Sequence, residues 1–279
     1  MEYADLHLHS TASDGTCPPG EVVRKFAETG FSIISITDHD SVAGIDEAVS
    51  AGNELGIEVI PGIELSTIYD DKEEIHILGY YIDWQSDKLK KTLDNFLYSR
   101  KIRAEKIIKK LNDIGVKIDK DKVFKLAGSE FIGRLHIARA MVKEGYVKNV
   151  SEAFTEKYIG RNGRAYVERF KMKPREAIEL ILELGGIPVL AHPGMYGWGE
   201  CIDEKIIKEF VDNGLVGIEI FYPCHSELVR NYYLKMTQKF NLLVTGGSDY
   251  HGKGTGRDMV GEIKLPIYYV DKMKARINR

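Results

Sequence analysis

Residues 32–66, SIISITDHDSVAGIDEAVSAGNELGIEVIPGIELS, decide the fold. Ser32 to Thr37 is an apolar, β-branched run that stops at Asp38-His39-Asp40, as a strand does at its polar end. Ile45 to Leu55 then has the apolar spacing of an amphipathic helix, and Gly56 falls where a left-handed C-cap residue is wanted. Glu58 to Ile63 is a second strand-like run, ending at Glu64. Strand, helix and strand joined by short links form a βα unit that feeds a parallel sheet.

The same rhythm extends both ways. Upstream, Tyr3 to His7 reads as a strand and Gly20 to Glu28 as a helix, with Gly30 in the cap position. Downstream, Ile75 to Tyr80 reads as a fourth strand. After residue 170, Pro174 opens a helix that closes at Gly185, Pro188 to Ala191 is a strand, and another helix ends near Gly214. Strands follow at Gly217 to Phe221 and Leu242 to Thr245. About seven βα units result, the composition of an α/β barrel. From about Asp83 to Val167 the rhythm breaks into helix alone: Leu89, Leu93, Phe96 and Leu97 share one face, and Ile107, Ile108, Leu111 and Ile114 another. The expected division is a first barrel part at 1–97, a helical insertion domain at 98–166 and a second barrel part at 167–279.

Bulk properties bound the function. With 43% hydrophobic and 29% charged residues among 279, the chain has an ordinary globular composition. Its formal charge of −3 supplies no general attraction for nucleic acid or anionic membrane. No apolar run reaches the ~18 residues of a membrane span, and the N-terminus lacks the pattern of a secretory signal. Cys17, Cys201 and Cys224 are odd in number and form no CxxC pair, which disfavours a disulfide framework or a thiolate zinc knuckle. A cytoplasmic protein with no membrane partner is expected.

The chemistry is carried by polar residues at strand ends, where a parallel barrel places its active site. His7 and His9 alternate on the first strand and face one way, and Asp14 follows on a Ser-Asp-Gly loop. His39 lies in Thr37-Asp38-His39-Asp40, three ionisable groups with no basic partner nearby, an arrangement that calls for a cation. Glu64 ends the third strand inside an apolar run, and His76 lies in the fourth. Taken singly, the histidine pair is equally a polar face of a strand and His76 a core histidine. His192 caps the fifth strand in Ala191-His192-Pro193-Gly194, and Asp249 and His251 cap the last in Gly247-Ser248-Asp249-Tyr250-His251. These nine nitrogen and oxygen donors exceed one four-coordinate zinc and suit two or three metal ions. The reading requires the N-terminal histidine pair to lie within about a nanometre of Asp249 and His251.

In that order, DLHLHSTASDGT, ITDHDSVAG, PGIELS, IHILGY, AHPG and GSDYHG resemble the PHP (polymerase and histidinol phosphatase) family of metallophosphoesterases over essentially the whole chain. The resemblance implies a distorted TIM-like (β/α)7 barrel. It also implies three metal positions: His7, His9, Glu64 and Asp249 around one; Glu64 bridging to a second completed by His76 and His192; Asp14, His39 and His251 around the third. Manganese is the expected metal, with zinc and iron compatible with the same donors.

The insertion carrying Gly133-Arg134-Leu135-His136-Ile137-Ala138 resembles the nucleotide-directed branch. Its members remove the 3'-phosphate of nucleoside 3',5'-bisphosphates or trim short RNA from the 5' end. A small nucleotide or short RNA is thus the implied substrate, and no polymerase module is expected. Histidinol phosphatase members usually carry Glu for the first Asp of TDHD, which disfavours that alternative. An amidohydrolase-like C–N hydrolase, a further alternative, often bridges its metals with a carbamylated lysine where this chain has Glu64.

Phosphoryl transfer relies on positioning and charge, so cations beside the metals are sought. Arg134 is the candidate clamp for a second phosphate and Lys157 a substrate contact, set in a basic stretch with Arg161 and Arg164. His225, beyond the sixth strand, is the candidate to bind phosphate or protonate the leaving group.

Overall fold

The computed structural model of the protein describes residues 2–70, 73–127, 132–168, 172–195 and 201–277. In chain order the elements are β1 (Tyr3–Leu8), α1 (Pro19–Glu28), β2 (Ile33–Ile36), α2 (Ile45–Leu55), β3 (Glu58–Tyr69), β4 (Glu73–Tyr80), α3 (Asp87–Asp113), α4 (Lys120–Ala127), α5 (Arg134–Lys143) and α6 (Val150–Ala153). They continue with α7 (Pro174–Glu183), β5 (Ile187–Leu190), α8 (Glu204–Asp212), β6 (Gly217–Phe221), α9 (Glu227–Phe240), β7 (Leu243–Gly246), β8 (Leu265–Pro266) and α10 (Tyr268–Ile277). Two compact units arise, Met1–Lys90 with Lys171–Arg279, and Lys91–Phe170.

The first unit is a nearly closed α/β barrel of TIM-like type, whose sheet order is β7-β6-β5-β4-β3-β2-β1-β8. β2 and β5 are buried along their whole length, which is why IISI and IPVL read as unbroken apolar runs. The sheet curls until its first and last long strands meet. Leu8 bridges to Tyr250, and the His9 N–H donates to the Tyr250 carbonyl at 2.8 Å. Gly247 permits this approach, because a Cβ there would lie 2.3 Å from that of His7.

Two parts depart from the expected rhythm, one of them β8, a two-residue strand that pairs antiparallel with β1. β4 is antiparallel to both β3 and β5, whereas β1 to β3 and β5 to β7 pair in parallel. Only residues 70–72 separate β3 from β4, too few for a parallel crossover, which needs a dozen or more, so the chain returns as a hairpin. Glu64 therefore does not end the third strand: β3 continues to Tyr69 and pairs with β4 from Gly62 onward. Glu64 still lies level with the end of β2, since His39 bridges to it. Because β4 runs the other way, its first half reaches the barrel end where the parallel strands finish, and His76 arrives there opposite Ser66.

The second unit is helical. Ile107 and Leu111 on α3, Val123 on α4, and Ile137 and Met141 on α5 form its core with Ile159. The i,i+4 pairs Ile107/Leu111 and Ile137/Met141 each present one face of a helix turn. Among the described residues no helix is long and apolar enough to cross a membrane.

Candidate metal centre

Each of the seven long strands sends a polar side chain to one end of the barrel. His7 lies on β1 with His9 just beyond it, and His39 follows β2. Glu64 and His76 lie within β3 and β4. His192 follows β5, Glu219 lies on β6, and Asp249 and His251 follow β7. The backbone bends to do this: Asp249 and His192 hold φ of +54° and +25°, a region that is costly outside glycine.

Glu64 is the hub. Its side chain is fully buried, and its two oxygens face different imidazoles. Oε1 lies 2.7 Å from His76 Nδ1 and 2.9 Å from His192 Nε2. Oε2 lies 3.2 Å from His7 Nε2, 3.2 Å from His9 Nε2 and 3.0 Å from His39 Nδ1. The N-terminal pair meets the C-terminal residues directly: His9 Nε2 is 3.1 Å from Asp249 Oδ1, and the His9 ring stacks on His251 with centroids 4.0 Å apart. Asp14 Oδ1 completes that side, 3.3 Å from His251 Nε2.

A second layer orients these groups. His7 Nδ1 faces Glu219 Oε1 at 3.0 Å, so its N–H is given to that carboxylate and its Nε2 lone pair is turned into the cluster. The other Glu219 oxygen accepts the His192 main-chain N–H at 2.8 Å. His251 Nδ1 donates to the Asp249 carbonyl at 2.7 Å, which turns its Nε2 toward Asp14. The Tyr222 hydroxyl donates to Asp249 Oδ2 at 2.9 Å, and Arg257 Nη1 binds the same oxygen. Asp5, pushed up to about 7 by its burial, accepts the Ser248 N–H at 3.0 Å and so ties β1 to the loop that bears Asp249. Glu219, Tyr222 and Arg257 escape a sequence reading. The one signal was a carboxylate inside the apolar strand Gly217-Ile218-Glu219-Ile220-Phe221.

The electrostatics follow from burial and crowding. Burial opposes the charged form of His9, yet Asp249 and Glu64 hold its imidazole up to about 9. Burial likewise opposes His76, and Glu64, aided by Glu74, holds it up to about 10. At His39 burial wins and the ring is pushed down to about 3. Glu64 and Asp249 stay well below the usual carboxylate range because the surrounding imidazoles outweigh desolvation.

This arrangement fits metal ions. Among the described residues three groups could each hold a cation: His9, Asp14, His39 and His251; His7, His9, Glu64 and Asp249; His39, Glu64 and His76. His7 Nε2 and His9 Nε2 face each other at 3.1 Å, and each lies 3.1–3.5 Å from Glu64 Oε2 and Asp249 Oδ1. Metal–ligand bonds of about 2.0–2.2 Å put neighbouring donors roughly 2.8–3.6 Å apart, which matches. Lone pairs so close repel unless a proton or a cation lies among them. The buried His9 Nδ1 has no hydrogen-bond partner among the described residues. Compared with the expected grouping, His9 also reaches the Asp14 group, and His39 also stands beside Glu64 and His76.

The remaining expected residues have partners of their own. Asp38 and Asp40 do not join His39 in a cation cluster, because local donors satisfy them. Asp38 accepts the Ser10 N–H and hydroxyl at 2.7 and 2.6 Å, and Asp40 accepts the Ser66 N–H at 2.8 Å. His225 has both ring nitrogens on main chain, donating from Nδ1 to the Ile220 carbonyl at 2.9 Å and accepting the Gly194 N–H at Nε2. Arg134 starts α5 in the helical unit, where its guanidinium lies over the Phe154 and Tyr166 rings and donates to the Ile159 carbonyl. Lys157 is exposed and packs on its neighbour Tyr158.

The PHP domain family profile matches residues 5–197. The chain belongs to the PHP domain family. Two curated PHP relatives span nearly their own full lengths against it. A 5'-3' exoribonuclease of Haemophilus influenzae is 36% identical over 247 residues, 88% of this chain and 89% of the relative. A 3',5'-nucleoside bisphosphate phosphatase of Chromobacterium violaceum is 32% identical, covering 100% of this chain and 99% of the relative. A solved structure described as a candidate metal-dependent phosphoesterase, from Bifidobacterium adolescentis, matches with a TM-score of 0.89 at 28% identity, covering 100% of this chain and 99% of that one. The chain is thus a PHP hydrolase of phosphate esters, and its metal dependence has a structural counterpart in the clustered donors.

One prediction arises from the second layer of this PHP site. Glu219→Gln weakens metal binding by about 10- to 100-fold, the usual effect of losing a carboxylate behind a ligating histidine. Titration of the metal-free variant by calorimetry measures this, and an affinity equal to wild type would show that His7 needs no such support.

Proposed function

We propose that the protein removes phosphate from nucleotides, acting on the 3'-phosphate of nucleoside 3',5'-bisphosphates or at the 5' ends of short RNA. The carrying observation is the divided Glu64 carboxylate, with Oε1 on His76 and His192 and Oε2 on His7, His9 and His39. Such a group would serve two cations, and the His9, Asp14, His39 and His251 group would hold a third. Two to three divalent ions are therefore assigned to the nine residues, manganese before zinc or iron. When bound, they would lower the pKa of water and neutralise charge on the phosphoryl oxygens.

The chain's own residues supply orientation. Glu219 and the Asp249 carbonyl hold His7 and His251 in single tautomers, and Tyr222 restrains Asp249, so few groups reorganise when substrate arrives. Asp14, His76 and His39 are 19%, 16% and 14% exposed, whereas His7, His9 and Glu64 are fully buried. Substrate therefore enters past the first three. Within this proposal Arg134 and Lys157 are candidate phosphate contacts of the helical unit. His225 positions the turn after His192 and does not transfer the proton, since its pKa is lowered by burial and both its nitrogens are engaged. With Glu64 at the centre, no lysine is needed to bridge, which favours phosphate esters over C–N bonds.

The test is incubation with adenosine 3',5'-bisphosphate and manganese. Release of inorganic phosphate with adenosine 5'-monophosphate as co-product is expected. Failure on this compound, on a nucleotide panel and on short 5'-phosphorylated RNA would defeat the proposal.

A further inference from the structure

The loop after His251 brings a cation to the donor cluster. Residues 252–257 are Gly-Lys-Gly-Thr-Gly-Arg, and Gly252 bridges back to Arg257. The His251 N–H donates to the Arg257 carbonyl at 2.8 Å. Thr255 Oγ1 donates to the Gly252 carbonyl at 2.6 Å and accepts the Arg257 N–H at 3.2 Å. The arm that carries Arg257 is thus tied to the residue beside the cluster.

Its guanidinium is only partly used. Nη1 donates to Asp249 Oδ2, an oxygen the Tyr222 hydroxyl already holds. Of five donors, the others make no hydrogen bond among the described residues. The Arg257 side chain is 38% exposed, beside an Asp249 that is 1% exposed, so the guanidinium joins a buried carboxylate of the cluster while remaining accessible to solvent. Glu64 and Asp14 also feel its charge. Holding Asp249 alone would call for a single donor. A planar fork with a spare edge matches two phosphoryl oxygens.

We infer that Arg257 is a substrate-binding residue, which keeps Nη1 on Asp249 and presents its free edge to the phosphoryl group entering the cluster. The inference rests on the phosphoesterase reading of this site and adds the residue that recognises the reacting phosphate.

The test compares wild type with Arg257→Gln, Arg257→Ala and Lys253→Ala, all loaded with manganese. Calorimetric titration with inorganic phosphate is run beside metal analysis and steady-state kinetics. Losing a charge-assisted hydrogen bond weakens phosphate binding and raises KM by about 10- to 100-fold in Arg257→Gln. Metal content stays at the wild-type level, and added guanidinium salt partly restores KM in Arg257→Ala. Lys253→Ala, an exposed change on the same loop, leaves both constants unchanged. Equal phosphate affinity in wild type and Arg257→Gln overturns the inference. Loss of manganese from the Arg257 variants also overturns it, by reducing Arg257 to a support for Asp249. If wild type hydrolyses no nucleotide, the proposed function falls, while the phosphate titration still decides the role of Arg257.

Discussion

Glu64→Gln is expected to suppress phosphate release by at least about 10³-fold while leaving a folded protein, the largest effect of any single change. Glutamine keeps the shape of the side chain and one oxygen but replaces the other with an amide nitrogen that cannot ligate. One of the two imidazole niches, around His76 and His192 or around His7, His9 and His39, then loses its anionic donor. A bridge becomes a single-ended ligand. Charge stabilisation by paired cations is worth several kcal/mol, and about 1.4 kcal/mol is a factor of ten in rate. Metal analysis and turnover on adenosine 3',5'-bisphosphate check this together. A variant that retains the wild-type metal content and turns over within tenfold of wild type would sink the assignment of Glu64 as hub.

The second large effect is a pH dependence that reverses when metal is added. In the metal-free protein His9 is held up to about 9 and His76 up to about 10, above the ordinary imidazole value near 6.5. A raised histidine contributes stability that is complete below the unfolded value and is lost as pH rises through the folded one. Chelator-treated protein should therefore lose stability between about pH 6.5 and 10, while His39, neutral when folded, acts weakly in the opposite sense only until its unfolded form has lost its proton, by about pH 7.5. Shifts of this size at buried groups amount to a few kcal/mol, or a fall in Tm of at least about 5 °C.

Cations compete for the same sites as these protons, so loading at pH 7 should release protons, and metal affinity should grow with pH. Tm of metal-loaded protein then holds or rises over that interval. Differential scanning calorimetry at several pH values, with and without manganese, checks both signs. Parallel falls in the two series, or metal binding with no proton release, would mean that the imidazoles are not where the cations go.

Much of this protein was legible along the chain, for reasons that are local. Buried parallel strands read as short apolar runs, IISI and IPVL, because both faces are covered, and α2 was readable from Ile45 to Leu55 because its apolar spacing and its terminal Gly56 are both local properties. Metal-type donors were recognisable because a histidine or carboxylate that interrupts an apolar strand end is costly without a partner. Where the reading went astray, the missing quantity was a partner's direction. Thr37-Asp38-His39-Asp40 looked like three equivalent ionisable groups. Only the folded chain brings Ser10 and Ser66 to the two aspartates and leaves His39 facing the cluster.

The sequence by itself determined that βα units would build a barrel and that nine imidazole and carboxylate donors would gather at one end of it. These follow from periodicity and from the cost of burying unpaired charge, both set by neighbours in the chain. Tertiary structure alone decided that β3 and β4 turn back as a hairpin and that Glu64 divides its oxygens between two sets of rings. It alone also placed Glu219 behind His7 and Arg257 beside Asp249, residues 212 and 8 positions apart along the chain. Hydrogen bonds and Coulomb forces act through space, and which distant side chains come within their reach is fixed only when the strands close into the barrel.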